Sequence, residues 1–192
     1  MNWDCWIAAY INTHCVGRGL QPLTLVAYEA TLNGFRDYVN KHLPGQEPDQ
    51  LSIRDILHYL EHLRKERDNG LSALNRQVTV LRNFYRAMVA LGYLGPNQNP
   101  MAHFPKIKAA PRKLPTILTR QEVGALLDHP ETNTVLGLRD RALLTLLYGT
   151  GIRASECAGL TEKNVNWEER TIRVRGKGGQ ERTVPLNEEV LH

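Results

Sequence analysis

Apolar residues return at steps of three and four through the first half of the chain, and that period belongs to helices. Trp3, Trp6, Tyr10 and Val16 predict a short first helix, closed by Gly17-Arg18-Gly19. Leu25, Tyr28, Leu32, Phe35 and Val39 form one stripe over 23–41, and Pro44-Gly45 ends it. Ser52 reads as an N-cap with Asp55 in the first turn of a third helix. Its apolar side carries Ile53, Ile56, Leu57, Leu60 and Leu63. A fourth helix runs from near Ser72 to Gly92. Four amphipathic helices with short connections make a small helical domain.

The pattern changes over 95–118. Pro96, Pro100, Pro105, Pro111 and Pro115 alternate there with Lys106, Lys108, Arg112 and Lys113. Proline lacks a backbone donor and blocks helix, so this stretch reads as a semi-extended basic linker. Thr119-Arg120-Gln121-Glu122 then fits a capping box opening a helix to about Asp128. A second helix covers about 137–148, with Leu143, Leu146, Leu147 and Tyr148 inward and Gly149 as its stop, and a brief third follows Arg153. Beyond Asn164 the period becomes two. Residues 171–175 and 182–186 read as strands joined through Gly176-Lys177-Gly178-Gly179, a hairpin with a glycine-rich tip. The domains expected are 1–104, a linker over 105–118, and 119–192.

Composition adds limits. At 42% hydrophobic and 23% charged, 192 residues suffice for two small cores and do not resemble a disordered chain. Cys5, Cys15 and Cys157 are odd in number and widely spaced, which favours a reducing compartment over a disulfide framework. No second Cys/His pair completes a zinc site with His14-Cys15, so no metal is expected. The N-terminus has no basic region before a long apolar run, and no stretch approaches a membrane span. The expectation is a cytoplasmic protein with no membrane partner. The net charge of +4 splits as 12 basic and 9 acidic side chains over 1–110 and 12 and 11 over 111–192. An electrostatic footprint must therefore come from clustering.

Three clusters stand out. From Ser72 to Gly92 there are three arginines and no carboxylate. Asn75, Arg76, Thr79, Arg82, Asn83 and Arg86 share one polar arc, while Leu74, Val78, Leu81, Phe84, Tyr85 and Met88 fill the opposite side. Such a helix suits the DNA major groove, where Arg bonds guanine edges, Asn adenine edges, and other donors hold phosphates. It also fits an ordinary solvated face, although those usually mix both signs. Arg153 emerges from a glycine break beside a new helix, where its fork can grip two oxygens of a phosphate. It can equally pair with Glu156 or Asp140. Lys177 sits on the hairpin tip with Arg173, Arg175 and Arg182 nearby. It can neutralise a phosphate, protonate a leaving oxygen, or simply be solvated. The tip is not a nucleotide-binding P-loop, because the G-x-x-x-x-G-K-[ST] spacing is missing.

In order and spacing, these pieces resemble the tyrosine recombinase (phage integrase) family, most closely its Xer-type members. The likeness covers essentially the whole chain. It takes in Thr24 to Val39, Asn75-Arg76, Leu81-Arg82-Asn83-Phe84-Tyr85, Asn99-Pro100, Leu114-Pro115 and Arg139-Asp140-Arg141-Ala142-Leu143-Leu144. Its most specific parts are Tyr148-Gly149-Thr150-Gly151-Ile152-Arg153-Ala154-Ser155-Glu156 and Gly176-Lys177-Gly178-Gly179-Gln180-Glu181-Arg182. The resemblance implies a mainly α chain. Its first part would be a four-helix, SAM-like core-binding domain, followed by the start of an α+β catalytic domain with a small antiparallel sheet.

The resemblance also implies two domains clamping double-stranded DNA, with other recombinase protomers as further partners. Arg153 matches the family's first catalytic arginine, and Lys177 its hairpin lysine, which protonates the leaving 5′ oxygen. The implied DNA contacts are Asn75, Arg76, Thr79, Arg82, Arg86, Lys106, Lys108, Arg112, Lys113 and Arg182. No metal or nucleotide cofactor is implied, because a 3′-phosphotyrosine link conserves the phosphodiester energy. The family's later active-site residues, including an H-x-x-R pair and the nucleophilic tyrosine, have no counterpart here. No tyrosine follows Tyr148, which the helical pattern places in the core. The expectation is a truncated recombinase that binds DNA without cleaving it. The alternatives are a non-catalytic module that interferes with full-length recombinases, and a helical adaptor that never meets nucleic acid. A catalytic part cut after its first sheet is also expected to expose apolar faces of helices 119–128 and 137–148.

Overall fold

A computed structural model describes residues 2–107 and 116–191, apart from the side chains of Lys177 and Glu189. The chain divides into two compact units, Met1–Lys113 and Leu114–His192.

The first unit is helical. Helix α1 (Trp3–Ala8) starts under Asn2, whose side chain accepts the Cys5 amide at 3.0 Å. It continues as a π-helical segment over Ala9–Cys15. Helix α2 (Pro22–His42) has proline at its start, where a missing N–H costs nothing. Ser52 caps α3 (Ile53–Lys65), and Asp55 accepts the Ser52 amide in return at 2.8 Å. Helix α4 spans Leu71–Ala90. The core between these helices contains Trp6, Tyr10, Leu32, Phe35, Ile56, Leu63, Leu81, Phe84 and Met88, all buried. Phe35 meets the edge of Trp3 at 5.5 Å and the tilted ring of Tyr59 at 4.8 Å, while Tyr10 meets the edge of Phe84 at 5.5 Å. Burying each such ring is worth about 1.5–3 kcal/mol. The wholly buried Tyr85 hydroxyl donates to the Pro48 carbonyl at 3.1 Å, tying α4 to the turn before α3.

Three sequence expectations change here. Val16 is exposed, and Ile11 and Cys15 are buried in its place. A π-helix fits an extra residue into each turn, so the inward positions shift after Tyr10. Ile53 and Leu57 lie at the margin of the buried arc of α3, which runs through Ile56, Tyr59, Leu60 and Leu63. The proline-punctuated stretch does not extend away from the domain at once. Leu94, Met101 and Phe104 are buried and draw the chain back onto the core after α4, with a 3-10 turn at Pro96–Gln98.

In the second unit, the Thr119 hydroxyl accepts the Glu122 amide and opens α5 (Arg120–Asp128), as the capping pattern predicts. Helix α6 (Val135–Thr150) and the short α7 (Ala154–Ala158) follow. Strands β1 (Val165–Asn166), β2 (Thr171–Arg175) and β3 (Glu181–Pro185) form an antiparallel sheet in that order, and α8 (Glu188–Leu191) packs on α6. Val174 pairs with Arg182 and Arg175 with Glu181. Ile152, Cys157, Ile172, Val174 and Leu186 are buried together, with Leu146 and Leu147 partly covered beside them.

Helix α6 does not stop at Gly149. It ends at Gly151, whose φ of 63° is the left-handed cap that glycine adopts without strain. Gly149 matters for space, because a Cβ there would lie 2.5 Å from Cγ2 of Val190. Tyr148 is not core: it is 54% exposed, and Leu143 also faces outward. The inward side of α6 is narrow, and among its described residues only Gly137 is fully buried. Leu126 of α5 and Leu138 of α6 are exposed apolar side chains, as expected for the faces of 119–128 and 137–148, and Val135 and Leu136 at the start of α6 are exposed as well.

Candidate nucleic-acid interface

Helix α4 presents its two faces as its periodicity demands. Leu74, Val78, Leu81, Phe84, Tyr85 and Met88 are buried, joined by Val80 and Ala87. On the other side Arg76, Thr79 and Arg86 are exposed, while Asn75, Arg82 and Asn83 are half-buried. Arg76 and Arg86 have no carboxylate partner among the described residues. Two members of the arc are committed within the unit. The Thr79 hydroxyl donates to the Asn75 carbonyl at 2.8 Å, and Arg82 Nη2 donates to the Phe104 carbonyl at 3.2 Å. Arg82 therefore anchors the segment that leads out of the domain as well as contributing charge. Lys106 is exposed just beyond it. Lys108, Arg112 and Lys113 lie outside the described residues, as do Leu114-Pro115.

The second cluster forms where α7 meets the hairpin. Arg153 is the N-cap of α7, and its side chain is 67% exposed. Of the two pairings open in the sequence, the structure shows the one with Glu156. Arg153 Nη1 donates to Glu156 Oε1 at 2.9 Å, and the Arg153 amide donates to Oε2 at 2.8 Å. Asp140 pairs instead with its neighbour Arg139 at 2.7 Å. Because its amide is occupied, the turn offers an anion the Arg153 guanidinium rather than that backbone N–H.

Glu156 is the organising residue, and its side chain is 2% exposed. Arg182 of β3 grips both of its oxygens, Nη1 to Oε1 at 2.7 Å and Nη2 to Oε2 at 2.8 Å, a fork-to-fork pair. The carboxyl is held down to about 2, first by the Arg182 hydrogen bonds and then by the Arg153 amide. The same bonds raise the Arg182 guanidinium. Gly176, at the root of the hairpin, lies against this pair: a Cβ there would stand 3.3 Å from Glu156 Oε1 and 3.4 Å from Arg182 Nη1. The backbone of Lys177 follows directly, in a turn where Gly178 and Gly179 take φ of 81° and 80°. The Lys177 side chain lies outside the described residues.

Arg153 and Arg182, 29 positions apart in sequence, thus share one carboxylate. Both arginines stand out in the sequence, where Glu156 figures only as one pairing alternative for Arg153. The R-x-x-E spacing of Arg153 and Glu156 was the available signal, since it matches a cap and the third residue of a helix. The Arg182 contact is non-local and left no local trace. Among the described residues, Cys5, Cys15 and Cys157 are free thiols, and no helix is long and apolar enough to cross a membrane.

Comparison with known proteins places this geometry. Residues 116–192 match the phage integrase family, and residues 7–92 match the phage integrase N-terminal SAM-like domain. The chain is 34% identical over 184 residues to tyrosine recombinase XerC of Halalkalibacterium halodurans, covering 95% of this chain and 59% of that protein. It is 35% identical over 187 residues to tyrosine recombinase XerD of Staphylococcus aureus, covering 96% of this chain and 61% of that one. The chain therefore spans about three-fifths of the length of these relatives. In fold it is similar to a lambda integrase dimer bound to a COC′ core site, with TM-score 0.73, 18% identity and coverage of 100% of this chain and 63% of that one. It is also similar to the Tn1549 transposon integrase in complex with circular intermediate DNA, with TM-score 0.67, 20% identity and coverage of 96% and 62%. With two successive domains of one family matched over most of its length, this chain belongs to the phage integrase family of tyrosine recombinases.

Proposed function

We propose that residues 1–192 bind duplex DNA, with the α4 arc in the major groove and Arg153 on a backbone phosphate, and that by themselves they do not cleave it. The observation that carries this reading is the acid-free arc of α4, whose exposed Arg76 and Arg86 lack carboxylate partners among the described residues. Cations left unneutralised on a rigid helix suit a polyanion, because an internal pair would have to be broken before each phosphate contact. Relatives solved with DNA add support: the lambda integrase dimer is bound to a core site and the Tn1549 integrase to circular intermediate DNA.

Within this reading, Asn75, Arg76, Thr79 and Arg86 face base edges and phosphates. Arg82 adds charge from the flank. Lys106, Lys108, Arg112 and Lys113 follow the phosphates along the connection, and Arg182 adds charge beside the turn. Arg153 holds a scissile phosphate, and Lys177 is the proton donor for a leaving 5′ oxygen. Cleavage also needs an attacking hydroxyl. The tyrosine nucleophile that the resemblance implies has no counterpart among residues 1–192, so in this reading they bind the phosphate without breaking its ester bond.

The test is fluorescence anisotropy of a labelled duplex across a range of salt. Steeply salt-dependent binding that Arg82→Glu with Arg86→Glu abolishes is expected. Affinity that barely moves with salt, or survives the double charge reversal, refutes the reading. A second reading is favoured by the exposed Val135, Leu136 and Leu138: the chain associates with full-length recombinases and blocks them. Mixed with an intact relative on its own site, the chain inhibits recombination under this reading. Indifference removes it.

A further inference from the structure

We infer that Arg182 is a positioning residue for the phosphate site: it occupies Glu156 so that the Arg153 charge is left uncompensated and available to an anion. The inference rests on reading Arg153 as the phosphate-binding residue. It reassigns Arg182 from a direct DNA contact to a group that acts through another side chain.

Glu156 is a nearly fully buried carboxylate that receives four donors, two from Arg182, one from the Arg153 side chain and one from the Arg153 amide. Two guanidinium groups share one negative charge, so the cluster keeps one net positive charge. That surplus faces outward more on Arg153, 67% exposed, than on Arg182, 43% exposed and held at both terminal nitrogens by Glu156. Without Arg182 the sum falls to zero. The carboxylate would then face Arg153 as its sole cationic partner, three residues away on the same turn, and a fork-to-fork pair would compete directly with a phosphate. The contact also fixes where β3 begins. Gly176 packs against Glu156 Oε1 and Arg182 Nη1, so the pair that frees Arg153 also seats the root of the Lys177 turn.

The experiment uses the full 192-residue chain labelled with 15N, with inorganic phosphate as the probe and the arginine Nε–Hε signals as the readout. Arg153→Lys assigns the Arg153 signal. In the unaltered chain, phosphate is expected to shift this signal saturably. Arg182→Gln is expected to weaken that affinity about tenfold, the scale of losing one close charge. Adding Glu156→Gln to Arg182→Gln restores the surplus charge on Arg153 and is expected to bring affinity back to within about threefold of the parent. A purely structural role for Arg182 predicts the opposite, since the double variant has lost both halves of the brace.

Backbone amide signals of Arg173 and Thr183, paired across the hairpin, report whether each variant keeps its sheet. If Arg182→Gln loses them, Arg182→Lys decides, because it keeps the charge without the fork. Near-parent phosphate affinity supports the inference, and a tenfold loss overturns it. If the Arg153 signal of the parent ignores phosphate, the reading of Arg153 fails and this inference with it. If the parent responds and Arg182→Gln responds equally, Arg153 keeps its role and the inference about Arg182 fails alone.

Discussion

Alanine at Arg76, Arg82 and Arg86, one position at a time, separates charge from structure on α4. Each phosphate neutralised by a cation adds about −0.9 to the slope of log affinity against log salt. From 50 to 200 mM salt, one contact then accounts for about a 3.5-fold loss of affinity and three for about 40-fold. Arg76 and Arg86 are exposed, with no carboxylate partner among the described residues. Removing either is expected to make the slope shallower by about 0.9 and to change stability by less than about 0.5 kcal/mol. Arg82 differs because Nη2 donates to the Phe104 carbonyl at 3.2 Å from a half-buried position. A charged donor on a partly covered carbonyl is worth about 1–2 kcal/mol, and each kcal/mol moves the Tm of a domain near 100 residues by about 4–8 °C. Arg82→Ala is therefore expected to lower the first unit's Tm by about 4–16 °C in addition to its effect on the slope. Anisotropy at three salt concentrations and a thermal melt of each variant supply both numbers. If all three variants keep the parental slope, α4 does not touch phosphate. If Arg82→Ala melts with Arg86→Ala, the Phe104 contact contributes nothing and the division proposed for Arg82 is wrong.

Phe84→Ala, in the aromatic centre against Trp6 and Tyr10, is expected to cost the first unit about 3–5 kcal/mol in denaturant unfolding; a cost below 1 kcal/mol would contradict the packing described. Gly151→Ala forces a Cβ onto a left-handed cap and is expected to cost the second unit about 1–2 kcal/mol. Gly149→Ala acts by collision with Val190 and is expected to increase hydrogen exchange over 187–191, a change Gly151→Ala does not share. Glu156 has a folded-state value of about 2, below its ordinary 4.5, so its contribution is complete above about pH 4.5 and is lost as pH falls towards 2. The protection of β2 and β3 amides, corrected for their intrinsic exchange rates, should therefore fall over that window in the parent. That fall should be smaller in Glu156→Gln, and equal pH profiles would rule the linkage out.

Features encoded within a few residues were legible in the sequence. The S-x-x-D and T-x-x-E spacings gave the starts of α3 and α5, because a cap and its third residue are neighbours whatever the tertiary fold. Alternation over 171–175 and 182–186, with glycines between, gave the β2–β3 pair to within one residue because a hairpin is also local. The arc of α4 followed from its period alone. Features set by the surroundings were not legible. Val16 was misplaced because nothing in 9–15 announces a π-helical turn. Tyr148 looked buried because its neighbours are leucines, but too little of the second unit packs on that face of α6 to cover it. The return of Met101 and Phe104 to the core was hidden by the prolines around them, which argue against helix and say nothing about packing. The role of Glu156 depends on Arg182, 26 residues further along the chain, and no local pattern announces that contact.

The two cationic sites handle charge in opposite ways, and each way fits its proposed task. A groove-facing helix needs several moderate contacts that can form and break along a duplex, so unpaired arginines on a solvated face are adequate and salt screens them readily. A site that must hold one phosphate needs orientation more than charge. Arg153 on a flexible stem would lose rotamer freedom with every contact it made. Glu156 meets part of that cost in advance by holding Nη1 and the backbone amide, while its bond to Arg182 keeps it from neutralising Arg153 outright. A carboxylate next to a phosphate-binding arginine would otherwise count against the site. Shared between two arginines, it fixes the geometry and leaves one positive charge unspent. Salt should therefore weaken the α4 contacts more steeply than it weakens the grip of Arg153 on a single phosphate.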